Sequence, residues 1–178
     1  NTVVQTEVKA TADAIAAGQG PEDAAAVYRN VLAYAPESHE ARAGLERALR
    51  SGADATGLAG FLEDQERRSG DPARSQLALE RALLLEERLD RPEDALAIFA
   101  RLAAESAVPE VVRDAEQHCE RLLEQLERWP ALRDHWLRSL GRHSASEDAR
   151  LHERIARLSA DRLADRVAEI EHLERVVA

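Results

Sequence analysis

Five large apolar residues, Tyr28, Phe61, Phe99, Trp136 and Leu173, follow one another at intervals of 33, 38, 37 and 37 residues. Each stands four positions after an anchor: Ala24, Gly57, Ala95, Leu132 and Glu169. A period of this length is that of stacked two-helix units, because it holds two helices and two short connections. The signal is sharpest in GPEDAAAVY, residues 20 to 28, and RPEDALAIF, residues 91 to 99. Positions i and i+4 share a helix face, and a small residue lets a neighbouring helix approach closely. Ala24 and Ala95 are therefore expected at helix crossings, with Tyr28 and Phe99 filling the space beside them. Pro21 and Pro92 suit a first helical turn, where a missing N–H costs nothing, and the following Glu-Asp favours the positive end of the helix dipole.

Each anchor is preceded by a second amphipathic stretch. HEARAGLERALR, RSQLALERALLLEERL, VVRDAEQHCERLLEQLER and RLHERIARLSADRL all carry apolar residues at three- and four-residue spacing. In the third, Val112, Ala115, Cys119, Leu122 and Leu126 make one stripe. Turn chemistry separates the stretches in APESHE, SGDPA, AVPE and SASED, with Ser38, Asp71 and Ser144 as expected N-caps. Ser144 and Glu147 have capping-box spacing. The expectation is a single all-α array of ten helices in five hairpins, over units of about 5–37, 38–70, 73–107, 109–143 and 146–178. Composition agrees: aromatics make up only 3%, and no stretch alternates apolar and polar residues as a strand does.

The spacing and the residues that carry it resemble the tetratricopeptide-repeat (TPR) family, whose units pair a small residue with an aromatic and end near a proline. In DAAAVYRNVLAYAPES, Ala24, Tyr28, Val31 and Pro36 fall where that pattern has Ala, Phe, Ala and Pro. DALAIFARLAAES matches over Ala95, Phe99 and Leu102, but Ala107 stands at the proline position and Pro109 comes two later. Gly57, Leu132 and Glu169 replace the usual Ala in the other units. EERLDRPEDALAIFARL and LERWPALRDHWLRSL are also similar to repeats of large TPR proteins from high-GC bacteria such as myxobacteria, in keeping with one Lys against 23 Arg. The resemblance implies a right-handed helical-hairpin solenoid that is not an enzyme and that holds a peptide or helix of another protein in a concave groove lined by the first helix of each unit. By register the groove residues are Arg42, Glu46, Arg50, Glu80, Glu87, Gln117, Arg121, Glu124 and Arg154.

Other chemistry finds little support. His118 and Cys119 are adjacent and so diverge by about 100° on a helix, which does not clasp one metal ion, and no CxxC or HxxxH pair accompanies them. His152 lacks the context of a phosphotransfer histidine. Acid pairs such as Glu22–Asp23, Glu86–Glu87 and Glu147–Asp148 read as helix surface or helix starts rather than catalytic dyads. There is no glycine-rich phosphate loop and no nucleophile elbow. The sequence thus points to no catalytic residue, cofactor or metal. Trp129 is expected at a turn and Trp136 in the core.

A net charge of −10 disfavours nucleic acid over most of the surface. Residues 128 to 162 nevertheless hold eight Arg against five acids, which raises a second reading as a binder of acidic partners. A third reading is a spacer that self-associates through its ends, since TVVQ and LERVVA carry apolar residues without a polar capping helix. No apolar run approaches membrane-spanning length. With one cysteine, Cys119, nothing requires an oxidising compartment. The expected location is cytoplasmic. The sequence starts at Asn1 without any Met, which marks a piece of a longer protein and leaves room for a removed leader.

Overall fold

The computed structural model describes residues 18, 20–142 and 144–177. Among these residues every regular element is a helix, and there are nine: α1 (Pro21–Tyr34), α2 (His39–Ser51), α3 (Ala55–Arg68), α4 (Ala73–Glu87), α5 (Pro92–Glu105), α6 (Pro109–Gln125), α7 (Trp129–Ser139), α8 (Ala145–Asp161) and α9 (Arg166–Val177). The tenth expected helix, ahead of Pro21, and the TVVQ stretch lie outside the described residues.

Local chemistry sets the helix starts. Pro21, Pro92 and Pro109 open α1, α5 and α6, and Glu-Asp follows the first two. Ser38 caps α2, its hydroxyl accepting from the Ala41 amide at 3.2 Å. Ser144 and Glu147 form the expected capping box, with the Ser144 amide donating to the Glu147 carboxylate at 3.0 Å. Asp71 does not cap α4. Pro72 is already in the helical region when the helix begins at Ala73, so Asp71 lies a residue too early and its carboxylate accepts from the Ser75 hydroxyl at 2.9 Å. Asp54 provides a cap the sequence reading passed over, accepting from the Gly57 amide at 2.7 Å.

The helix ends show the period most clearly. Asp90, Glu127 and Ala164, which follow α4, α6 and α8, all have φ near +50°, at 51°, 52° and 52°. They are spaced 37 residues apart. None is glycine, although this conformation costs an L-residue about 1–2 kcal/mol. Backbone bonds hold each turn: the Arg91, Arg128 and Asp165 amides donate to the Leu85, Leu123 and Ser159 carbonyls, each at 2.9 Å. Three successive first-to-second-helix turns are therefore built alike.

Among the described residues the backbone of each helix packs on the next in sequence, and α4 also lies against α6. This nearest-neighbour packing is that of a helical-hairpin solenoid. The core is correspondingly divided. One cluster spans α1 to α3 with Leu84, a second spans α4 to α6, and a third joins Leu123 to α7 and α8. Ala24 and Ala95 are fully buried beside Tyr28 and Phe99, as their spacing predicts. Opposite Tyr28, Gly44 leaves no room for a side chain: a β-carbon there would run into the tyrosine ring.

Two expectations shift by one position and a third fails. On α3 the buried stripe is Ala55, Leu58, Leu62 and Glu66, while Gly57 and Phe61 are only half-buried. The cap explains the rotation, because a β-carbon at Gly57 would meet the Asp54 carboxylate and the Arg29 guanidinium, and turning Leu58 and Leu62 inward buries two leucines in place of one aromatic. On α6 the stripe begins at Val111 rather than Val112, and Leu126 is half-buried. On α9 no residue is buried, and Leu173 is 45% exposed. Among the described residues the backbone of this helix packs against α8, presenting its Ala168 and His172 side, so Glu169 and Leu173 do not form a buried anchor.

Candidate functional site

The charged residues of α2, α4, α6 and α8 form a ladder across four helices that are not consecutive in sequence. Arg50 of α2 pairs with Glu46 of its own helix at 3.0 Å and makes a two-pronged contact with Glu80 of α4, one prong at 3.0 Å. Glu86 of α4, nearly buried, receives Arg121 of α6 at 2.5 Å and His118 at 3.1 Å. Glu120 of α6 receives Arg154 of α8, which also lies 3.6 Å from Glu124. Of the nine groove residues expected from register, the structure joins Arg50, Glu46 and Glu80 in one rung and Arg154 and Glu124 in another. Arg121 belongs to the rung between. Arg42 instead hydrogen-bonds the Pro36 carbonyl, while Glu87 and Gln117 are exposed without joining a rung.

Glu86 and Glu120 were missed by register alone. A signal for them exists, because residues one repeat apart become neighbours: Arg154 and Glu120 are separated by 34 residues, Arg101 and Glu66 by 35, and Arg128 and Glu93 by 35. The Arg50–Glu80 and Arg154–Glu120 rungs are partly exposed, so each contributes at most about 1 kcal/mol to stability. Their value to function is positional, since they hold long side chains in fixed places.

At the α6–α8 end the ladder meets an aromatic cleft of about 270 Å³, floored by Trp129, Leu132, Trp136 and Leu158. Arg154 lies over the Trp136 ring at 4.3 Å, and Arg162 over Trp129 at 4.8 Å. Such contacts hold a guanidinium and an indole in register. The Trp136 Nε1–H donates to Glu120 at 3.0 Å. Burial pushes the Glu120 carboxyl up, but the hydrogen bonds from Arg154 and Trp136 outweigh it and hold the group below the usual carboxylate range. Its folded value is depressed, so its stabilisation is complete above the ordinary glutamate range and is lost as the pH falls through the lowered value.

Five of the eight arginines in the locally basic segment 128 to 162 are neutralised by ion pairs. Arg128, Arg133, Arg142 and Arg154 pair with Glu93, Asp165, Glu116 and Glu120, all from outside the segment, and Arg157 pairs with Glu153. His118 stacks on Phe99, with ring centroids 4.7 Å apart and planes 17° from parallel. Cys119 is buried, and burial pushes its thiol up to about 12, which makes it a packing residue rather than a thiolate ligand. Among the described residues no three His, Cys, Asp or Glu side chains gather to hold a metal ion, and no helix is long and apolar enough to cross a membrane.

No protein-family model matches the chain, and no curated protein does. Among solved structures it is similar to a crystal structure of Podospora anserina repeats described as kinesin light chain, nearly identical and TPR-like. That similarity has 14% sequence identity over 97% of this chain and 92% of the other, with a TM-score of 0.47.

Proposed function

We propose that the chain is a non-catalytic protein-interaction scaffold, holding a segment of a partner protein along the face formed by α2, α4, α6 and α8. The observation that carries this reading is the cleft of Trp129, Leu132, Trp136 and Leu158, whose two indoles lie under fixed arginines at the end of the ion-pair ladder. Indole and guanidinium groups around a concave apolar floor are the chemistry of interface hot spots. Because the groove arginines are already paired, a partner is selected by an apolar side chain entering the cleft rather than by net charge. A segment anchored in this way binds with micromolar affinity, about −8 kcal/mol.

Peptides selected from a random library on the intact chain supply the probe. Arg154→Glu breaks the rung and uncovers Trp136, and is expected to weaken binding at least about tenfold. The triple change of Arg42, Arg50 and Arg121 to Glu is expected to weaken it further for segments that run the length of the face. Arg91→Glu, in the turn before α5, is the control and leaves affinity unchanged. Peptides that bind all three variants equally would remove the groove from consideration.

A second reading is favoured by α9, which exposes Val167, Ile170 and Val177 at 69%, 57% and 86%. An outer helix face this apolar suits self-association. Light scattering across protein concentration is then expected to show a rising mean mass. A constant monomer mass would exclude it.

A further inference from the structure

We propose that a cleft between α7, α8 and α9, on the side away from the tryptophans, binds a dianionic oxyanion of the phosphate class. The cleft measures about 360 Å³, and it is lined by Arg133 of α7, His152 of α8, and Glu171, His172 and Arg175 of α9. In a chain of net charge −10 this is a local concentration of cationic donors. Arg175 has no ion-pair partner among the described residues. Arg133 gives one nitrogen to Asp165 at 3.3 Å, while its buried Nε lies 3.8 Å from the Asp134 carboxylate without a hydrogen bond to it. A buried donor without a hydrogen bond favours an added acceptor.

The two histidines meet Nδ1 to Nδ1 at 2.7 Å, with ring centroids 5.0 Å apart. One of these nitrogens donates and the other accepts, so the pair holds one proton between them at this contact. A second proton there would place two N–H groups head to head. Burial pushes both imidazoles below the ordinary histidine range, and Arg175 pushes both further; the neighbouring His152 and Arg133 add to the effect on His172. Glu171 opposes this at His172 and Asp148 at His152, but Asp165 is engaged with Arg133 and Asp148 accepts from the Gly141 amide at 3.0 Å. Arg133, Arg175 and the two imidazoles thus line the cleft with Glu171 as the carboxylate among them. A dianion gives Arg175 an acceptor, adds one for Arg133, and favours the imidazolium form. Leu137, Leu140 and Ala168 make the remaining wall apolar, so the same site admits the bare ion or a monoester carrying an apolar group.

By linkage, anion binding and histidine protonation strengthen each other, and affinity rises as the pH falls. Sulfate is the probe because its own charge is constant across this range. The full chain is titrated with sulfate and with chloride at matched ionic strength, reading the His152 and His172 ring resonances by NMR. Sulfate is expected to give saturable shifts that chloride does not, with affinity about tenfold higher at pH 5.5 than at pH 7.5. Arg175→Gln is expected to weaken binding about tenfold while leaving the circular dichroism unchanged, and Arg175→Lys to retain most of it. Superimposable sulfate and chloride titrations, or an Arg175→Gln protein that responds as the parent does, would overturn the proposal. Comparing phenyl phosphate with inorganic phosphate then identifies the source. Tighter binding of the ester assigns an organic phosphate, equal binding assigns the free ion, and binding of neither overturns the site.

Discussion

Phe99→Ala is expected to cost about 3–5 kcal/mol of folding free energy, whereas Phe61→Ala costs about 1 kcal/mol. The two residues are equivalent in the sequence period, and the structure separates them. Phe99 is fully buried in the α4–α6 cluster, where Ala78, Ala82, Ala95 and Ala115 stand among Leu85, Ile98, Leu102 and Leu122, and His118 stacks on its ring. The alanines have short side chains that cannot reach into the space a lost ring leaves. The cost therefore includes both the lost transfer energy and most of the cavity term. Phe61 lies half-exposed beside Leu62, which is the residue buried at that level of α3. Urea midpoints at constant m-value measure both changes. Equal losses at the two positions would mean that α3 is not rotated as described.

Glu66→Ala is expected to cost about 3 kcal/mol, at the low end for breaking a buried pair. Its carboxylate, with only 9% of the side chain exposed, accepts from Arg81 of α4 at 2.8 Å and from Arg101 of α5 at 2.6 Å. One acid thus ties three helices. Removing it leaves Arg81, whose side chain is 18% exposed and whose Nε already lacks a hydrogen bond, with only the long contact to Glu63 at 4.0 Å. Arg101 is more exposed and recovers hydration, which keeps the cost from being larger. The contrast is Arg157→Ala on the exposed pair with Glu153, expected within about 0.5 kcal/mol of the parent. A double-mutant cycle between Glu66 and Arg81 isolates the coupling. A Glu66→Ala protein as stable as Arg157→Ala would remove the three-helix tie.

The architecture was legible because it rests on spacing. A period near 37 with Pro-Glu-Asp starts at 21 and 92 specifies paired helices, and Ala24, Tyr28, Ala95, Phe99, Leu132 and Trp136 all sit in the core as that period requires. Helix phase was less legible where the local cap decided it. Asp54 begins α3 so that Leu58 and Leu62 turn inward, and nothing in the alternation of Gly57 and Phe61 reveals that rotation. The left-handed turn residues at 90, 127 and 164 are periodic, yet being Asp, Glu and Ala they carry none of the glycine signal by which such turns are usually recognised.

The ion-pair ladder was legible in outline only. Register alone places Arg50, Glu80, Arg121 and Arg154 on one face, but it does not say that the three arginines pair with acids of the neighbouring first helices. That depends on side-chain reach between α2 and α4, α4 and α6, and α6 and α8. The basic bias of residues 128 to 162 misleads for the same reason, since its neutralising carboxylates come from one repeat before, from α6 of the same unit, or from the turn before α9. The Trp129–Arg162 contact is likewise tertiary: it depends on the α7–α8 packing, which sequence separation does not encode.

The central claim is that a partner segment enters the tryptophan cleft. The chain has two tryptophans, Trp129 and Trp136, and both line that cleft, so a ¹⁵N-labelled sample gives two indole N–H resonances that report on it. Titration with a library-selected peptide is predicted to shift both, the Trp136 signal more strongly as its hydrogen bond to Glu120 is altered, with the same midpoint as binding measured by calorimetry. A peptide that saturates the protein while both indole resonances stay in place would contradict the account.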